Sequence, residues 1–424
     1  MAGGLLQLIA IGSQNIYVNK EPQITFFQTS FEKHSNFSIE TKEMYFNNGA
    51  GFDKLTSCEI KREFGDLLTH LTLKIDLPDL GDEHFSWVNA IGHAIIDYVE
   101  VEIQGQKIDR HYGEWLEIWT ELTQPFEKKN GYNEMIGKSD NFNLSNNHEM
   151  SLLIPMNFWF CRNPGSALPL VCLFYSQVKI NIKFRPFHEC WVATLDSTGK
   201  PPCDITQFKA SFLGEFIWLD LKERLKFVNE NHFYLFEYVQ SNIDNTFSKN
   251  NNPINLTLNF NNLVKSIYWT IQRGDNVCEV PLNEDTKDPY KYRNGNNWFN
   301  FSVYRSRKTP VFEAIDNCSI YFNGMLRMEE QDGKYFRLYQ NHYYSSKSPS
   351  NFIYSYSFGL RPDEFQPTGA VNMSRIKNCN IKFNRKKINR NYTDDSPNYF
   401  VKIYALTYNF LIINNGLTSV LFDS

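Results

Sequence analysis

The chain has 424 residues, enough for two domains that each bury a sizeable core. Aromatic residues make up 16%, with 35 Phe and 23 Tyr, a load that favours β structure because flat rings pack well on a pleated surface. The formal net charge of -4 excludes a general electrostatic drive toward nucleic-acid phosphates, so no direct nucleic-acid contact is expected.

The N-terminal stretch Met1 to Gly12 is apolar but short. It lacks the Lys or Arg of a signal-peptide n-region and falls well below the ~20 residues of a membrane span. Neither secretion nor a span is expected, and an apolar arm that docks on a neighbour or a membrane surface fits better. Gln23 to Phe31 alternates loosely around Ile24, Phe26 and Phe27 and predicts a strand. Leu67 to Leu77 has a period of two from Leu71 onward, closed by Pro78. Ile95 to Ile103 alternates with Val99, Val101 and Ile103 on one face, and Gln104-Gly105-Gln106 makes a turn. Glu114 to Leu122 places Trp115, Ile118, Trp119 and Leu122 at helical spacing. Phe158-Trp159-Phe160-Cys161 reads as an apolar strand, and Phe208 to Leu219 as the last strand of the first half. The charged run Asp220 to Arg224 is the natural boundary. In the second half, Cys318 to Phe322 predicts a strand, Asn323-Gly324 a turn, Tyr335 to Tyr339 a short helical piece and Val401 to Ile413 the final strand. Long polar loops are expected at Gly137 to His148, Asn242 to Asn255 and Asn283 to Asn297.

The two halves share a local order. Phe158 to Cys161, Arg162-Asn163-Pro164-Gly165, Ala167-Leu168-Pro169 and Asn181-Ile182-Lys183-Phe184 occur in the first. Tyr354 to Phe358, Leu360-Arg361-Pro362, Gln366-Pro367-Thr368-Gly369 and Asn380-Ile381-Lys382-Phe383 occur in the second. A repeat this long is a domain duplication rather than a solenoid unit. Many short strands with a few long polar loops argue for β-sandwiches, and a sandwich of this length with little helix suggests a jelly roll. If so, the strands ending in Phe184 and Phe383 should sit at equivalent places.

Motifs for chemistry are weak. The 8 cysteines form no Cys-x-x-Cys pair, match no zinc module and lie mostly in apolar runs, which suits buried, reduced thiols and synthesis in the cytosol. Gly131 to Ser139 approaches a phosphate loop but has one residue too many between its glycines, and an ordinary surface loop is expected. His188-Glu189-Cys190 brings three potential ligands together, but neighbouring side chains of an extended segment point to opposite faces. His70 lies opposite the Leu71-Leu73 face of its strand, toward solvent. There is no Gly-x-Ser-x-Gly elbow and no His-Glu-x-x-His. The acidic pairs Glu329-Glu330 and Asp394-Asp395 read as solubility, and the basic clusters Arg305, Arg307, Lys308 and Arg385-Lys386-Lys387 as solvated loop or subunit-contact charge rather than nucleic-acid binding. The seven Asn-x-Ser/Thr sequons, from Asn36 to Asn391, barely exceed chance. No catalytic, cofactor-binding or metal residue is assigned, and no cofactor is expected.

Several segments together resemble the major capsid proteins of nucleocytoplasmic large DNA viruses. They are Gly3-Gly4-Leu5-Leu6-Gln7-Leu8, Pro22-Gln23-Ile24-Thr25-Phe26-Phe27, His34-Ser35-Asn36-Phe37-Ser38 and Gly65-Asp66-Leu67-Leu68. Ile103 to Asp109, leading into Tyr112-Gly113-Glu114-Trp115, follows. Gln366 to Gly369 with Asn372-Met373-Ser374-Arg375, and Tyr404-Ala405 before Tyr408-Asn409, complete the order. The resemblance implies an all-β double jelly roll, two tandem eight-stranded sandwiches with a few short helices in loops. It divides the chain into an arm at 1–22, a first jelly roll at 23–220 and a second at 221–424. It implies a non-enzymatic structural protein of the virion shell, made in the host cytoplasm, whose homotrimers form pseudo-hexagonal capsomers that tile an icosahedral capsid. Its partners would be further copies of itself, with minor capsid proteins and an internal membrane met through the arm. The loops look compact for the family, so any outer turret should be modest. A minor capsid or scaffold paralogue shares the fold. A carbohydrate-binding jelly roll has no need of two matched sandwiches, and a cupin-type enzyme needs a His cluster that this chain lacks.

Overall fold

A computed structural model describes residues 3–81, 85–139, 148–193, 206–248, 252–274, 277, 296–302, 313–386 and 398–422. Residues 1–36 and 37–424 are separate compact units. In the first, Gly3–Ile9 and Ile16–Asn19 are short helices without a buried residue. The strand expected at Gln23 to Phe31 is absent: the segment is irregular, with Ile24, Phe26 and Phe27 70%, 88% and 99% exposed. Alternation alone does not make a strand when no neighbour supplies a hydrogen-bonded ladder. Among the described residues no helix is long and apolar enough to cross a membrane.

The second unit is built from strands. Its first part holds β1 (Phe37–Tyr45), β2 (Leu55–Ile60), β3 (Leu67–Leu77), β4 (Phe85–Trp87), β5 (Ile96–Ile103), β6 (Gln106–Tyr112), β7 (Met150–Pro155), β8 (Val178–Phe184), β9 (Trp191–Ala193) and β10 (Lys209–Leu219). After the helix Leu221–Asn229 come β11 (His232–Ser248), β12 (Ile254–Leu258), β13 (Leu263–Arg273), β14 (Ile315–Phe322), β15 (Met325–Asp332), β16 (Tyr354–Ser357), β17 (Val371–Asn372), β18 (Cys379–Arg385), β19 (Asn398–Asn414) and β20 (Leu417–Val420). The charged run at the boundary thus starts a helix, and Asp220 caps it by accepting the Leu221 N–H at 2.8 Å.

The sheets repeat. In the first part the orders are β1-β10-β3-β7 and β2-β8-β5-β6, and in the second β11-β19-β13-β16 and β12-β18-β14-β15. Setting aside the short pair β4-β9 and the appended β17 and β20, the strands of each part fall in the same order, first-eighth-third-sixth facing second-seventh-fourth-fifth. Two antiparallel four-stranded sheets connected in this way make a jelly roll, here present twice. The strands β8 and β18, which carry the two Asn-Ile-Lys-Phe segments, take the same place: Ile182 lies between Thr56 and Val99, and Ile381 between Leu256 and Ile320.

Details repeat as well. The β5-β6 and β14-β15 hairpins turn at Gln104-Gly105 and Asn323-Gly324, all four with positive φ. A bulge places Thr69 of β3 opposite no residue of β10, and Lys265 of β13 does the same against β19. Each hairpin is followed by a helix, Gly113–Thr123 in the first roll and Tyr335–Tyr344 (a π turn running into Gln340–Tyr344) in the second. Gly113 and Gly333 open these helices against backbone: a Cβ would lie 2.3 Å from the His93 carbonyl oxygen at one and 2.6 Å from that of Ile315 at the other.

Two sequence expectations are corrected. Phe158 to Cys161 is not a strand. Phe158 is extended and Trp159–Arg162 is one helical turn, while the sixth strand of the roll is β7 just before it. Phe158, Trp159 and Phe160 are all buried, so their apolar run had no periodicity to separate strand from helix. The loop expected at Asn242 to Asn255 is strand through Ser248, because β11 continues its ladder with β19 past a bulge at Asn242/Asn245. Residues 283–295 of the third polar loop, and residues 140–147 of the first, lie outside the described residues.

Candidate functional site

The helix Gly113–Thr123 joins the two rolls. Thr120 and Thr123 hydroxyls back-bond to the Leu116 and Trp119 carbonyls, and the helix stops at Gln124, which precedes Pro125 and is extended. One face belongs to its own roll: Leu116 packs in the cluster that holds Leu73, Val99, Phe184 and Phe212. The opposite face, Trp115, Ile118, Trp119 and Leu122, belongs to the core of the second roll. The Trp115 ring lies 5.6 Å from Tyr268 on β13 and 5.5 Å from Tyr404 on β19, centroid to centroid. The Arg162 guanidinium stacks over Trp119 at 4.1 Å.

Carboxylates on the same helix carry the charge. Glu114 Oε1 accepts from Lys402 Nζ at 2.6 Å and from Arg185 at 2.8 Å. Glu117 accepts from Lys138 and is 2.8 Å from His93 Nδ1. Glu121 accepts from Lys138 at 2.8 Å and from Ser350 Oγ of the second roll at 2.8 Å. Beyond the helix, Glu237 of β11 bridges Arg162 at 2.9 Å and Lys265. Burial by itself would raise the pKa of Glu114 and Glu117. Lys402 and Arg185 outweigh it at Glu114, Lys138 and His93 outweigh it at Glu117, and both carboxyls fall to about 2.

A pH dependence follows with a defined sign. Both folded values lie below the ~4.3 of a free glutamate, so the stabilisation is complete above that value and is lost as pH falls through it toward 2. The melting temperature should be flat from neutral to about pH 5 and fall steeply below about pH 4.5. Circular dichroism melts across that range check it, and a melting temperature that rises on acidification contradicts it.

The arrangement is a strut rather than a reaction centre. Each helix carboxylate is bonded to at least one lysine, and burial pushes the thiols up, Cys58 to about 11 and Cys161 to about 12, away from the reactive thiolate. Lys138, the lysine of the near phosphate loop, is committed to Glu117 and Glu121. Lys129–Met135 before it is a helix, so the segment anchors the junction and is not an ordinary surface loop. His188-Glu189-Cys190 is not extended but part of a 3-10 turn: His188 is exposed, Glu189 reaches toward Arg185 at 3.6 Å, and Cys190 is buried. His70 is exposed on β3, as expected, and faces Glu215 at 3.2 Å. Glu329 and Glu330 are exposed on β15, whereas Asp394-Asp395, Arg305, Arg307, Lys308, Lys387, Cys203 and Cys278 lie outside the described residues. Among the described residues no group of three or more His, Cys, Asp or Glu is placed to hold a metal.

The sequence reading missed these charges. A signal was present: Glu114, Glu117 and Glu121 fall on one side of a helix whose other side carries Trp115, Leu116, Ile118, Trp119 and Leu122, which calls for buried cations.

Two family models match in tandem: the major capsid protein N-terminus over residues 25–220, and the large eukaryotic DNA virus major capsid protein over residues 223–419. The major capsid protein of Pyramimonas orientalis virus is 32% identical, and that of Phaeocystis pouchetii virus 31%, each over the whole of both chains. The chain belongs to the major capsid protein family of large eukaryotic DNA viruses. A chain of the PBCV-1 virus capsid quasi-atomic model matches with a TM-score of 0.76 at 25% identity, covering 94% of this chain and 100% of its own. The family is structural, not enzymatic, and places this major capsid protein in the virion shell. Its functional surface is therefore the one it presents to the capsid lattice, and Glu114 and Glu121 of the helix, bonded to Lys402 and Ser350, tie the two rolls together.

Proposed function

We propose that the chain assembles as a homotrimer with a pseudo-sixfold outline, and that these capsomers tile the icosahedral shell of a large double-stranded DNA virus. The observation that carries this reading is the identical strand order of the two rolls. A chain with two copies of one shape gives a trimer six nearly equivalent sides, which suits a hexagonal lattice. The chain is organised as an N-terminal arm and two jelly rolls that meet at Asp220, and is made in the host cytoplasm before entering the shell. A minor capsid or scaffold paralogue would share the fold, and copy number separates the two. On a stained gel of purified particles this chain should be the most abundant protein. A stoichiometry of a few copies per particle overturns the reading.

The arm meets minor capsid proteins or an internal membrane at the inner base of the shell. Leu5, Leu6, Leu8, Ile9 and Ile11 are 55%, 61%, 74%, 62% and 69% exposed, and each has ~1.5–3 kcal/mol to gain from full burial on a partner. Deleting residues 2–12 should leave the melting temperature of the capsomer within ~2 °C, because no core side chain is lost, while particle yield falls severalfold. Loss of the folded capsomer with normal residual particles contradicts this assignment.

A further inference from the structure

The second roll buries a lysine that its fold does not require. Lys265 is the bulged residue of β13, and its side chain is 0% exposed. Its Nζ donates to Glu237 of β11 and, at 2.8 Å, to the Glu364 carbonyl oxygen in the loop after β16. The Tyr408 ring lies 5.2 Å from Nζ. The first roll makes the same bulge with Thr69. Ile217 and Tyr408 pair with Leu67 and Leu263, each two residues before the bulge, and their partners on the other side are Ile39 and Glu237. A threonine and an isoleucine therefore fill in one roll the places that a lysine and a glutamate hold in the other. Burying the charged pair costs desolvation that apolar packing does not, so it calls for a role beyond the fold.

The third group is Asp363. It precedes Glu364, and its charge and that of Lys265 act on each other. Its Oδ2 accepts the Ser346 N–H, whereas Oδ1 is buried and has no hydrogen-bond partner. A cavity of about 80 Å³ adjoins, lined by Trp159, Arg162, Asn163, Glu237, Asp363 and Phe365. It leaves room for the Asp363 carboxyl to turn and for a water to depart. The two carboxyls differ in kind. Glu237 is bonded to Lys265 and, through its other oxygen, to Arg162 at 2.9 Å, which suits a carboxylate that exchanges protons and resists attack at carbon. Among the described residues no cation is bonded to Asp363. Burial raises its pKa, and burial also lowers that of Lys265 against the pull of Glu237. A neutral amine is the nucleophilic form, and a neutral carboxyl is the form that gives up a hydroxyl.

We infer that Lys265 and Asp363 join in an isopeptide bond, made by the folded chain on itself with Glu237 as the proton carrier. The Lys265 nitrogen attacks Cγ of the Asp363 carboxyl. Glu237 takes one of the two amine protons and passes it to the departing hydroxyl. A C–N bond replaces a C–O bond, one water is released, and nothing is oxidised or reduced. The product is an amide that pins the loop between β16 and β17 to β13. The reaction occurs once per chain and has no outside substrate, in keeping with a structural protein.

Intact-mass spectrometry of the purified full chain, denatured and reduced, tests this. Wild type should be lighter by one water than its sequence mass, and a tryptic digest should give one branched peptide in which Lys265 is joined to Asp363. Lys265→Arg and Asp363→Ala should have the full mass. Glu237→Gln, folded by circular dichroism, should have it too, because the amide keeps a hydrogen-bonding side chain in place but carries no proton across. A wild-type chain at full mass, with separate unmodified peptides for Lys265 and Asp363, overturns the inference. So does a lost water that maps to any other pair, Lys265 with Glu237 included. A Glu237→Gln chain linked as completely as wild type overturns the part given to Glu237. The wild-type result needs no variant, so a substitution that prevents folding leaves the test intact.

Discussion

Lys138→Met should destabilise the protein by ~3–5 kcal/mol, because it leaves Glu117 and Glu121 buried without their shared cation. The two carboxylate side chains are 0% and 4% exposed, and the lysine side chain 14%. Its attraction to both carboxylates exceeds the burial penalty that would otherwise lower its pKa, so the ammonium is held charged and its pKa is raised. Methionine keeps the stem's packing and removes only the charge, so the loss reports the ion network. Lys183→Met is the control: its partner Asp97 is 3.2 Å away but both side chains are more than a third exposed, and a loss below ~1 kcal/mol is expected. Urea unfolding at matched protein concentration checks both, since the stability of an oligomer depends on concentration. Equal losses for the two variants would show that the Glu117-Lys138-Glu121 cluster is not a strut.

Trp115→Ala should cost ~3–5 kcal/mol, the range for removing a buried aromatic from a core. Trp115 is fully buried and touches rings from two strands of the other roll, so the cavity opens at the junction rather than inside either sandwich. The loss should therefore appear together with separation of the rolls. Limited proteolysis near the Leu221–Asn229 helix should accelerate severalfold in the variant, since this helix connects the two rolls and has no buried residue. A variant that loses stability in urea but is cut no faster would place the tryptophan's contribution within one roll.

What the sequence showed depended on how each strand is covered. Leu67 to Leu77 was legible to the residue because β3 hides one face and shows the other. Its counterpart β13 has no such alternation, being buried on both faces, and it drew no notice in the sequence. The hairpin turns at Gly105 and Gly324 and the helix at Trp115 to Leu122 are local patterns and could be read locally. Lys402 and Glu114 are 288 residues apart, and a pair that distant leaves no local trace. The duplication was visible through the two Asn-Ile-Lys-Phe strands, yet the matching of Phe158 to Cys161 with Tyr354 to Phe358 joined a helical turn to a strand. Apolar runs buried all round look alike whichever backbone carries them.

The mass of the purified full-length chain in solution bears most directly on its role as a capsid building block. Multi-angle light scattering at micromolar concentration should give three times the 49.8 kDa of the chain, unchanged on tenfold dilution. A mass of 49.8 kDa for folded protein would contradict a capsomer made of duplicated rolls.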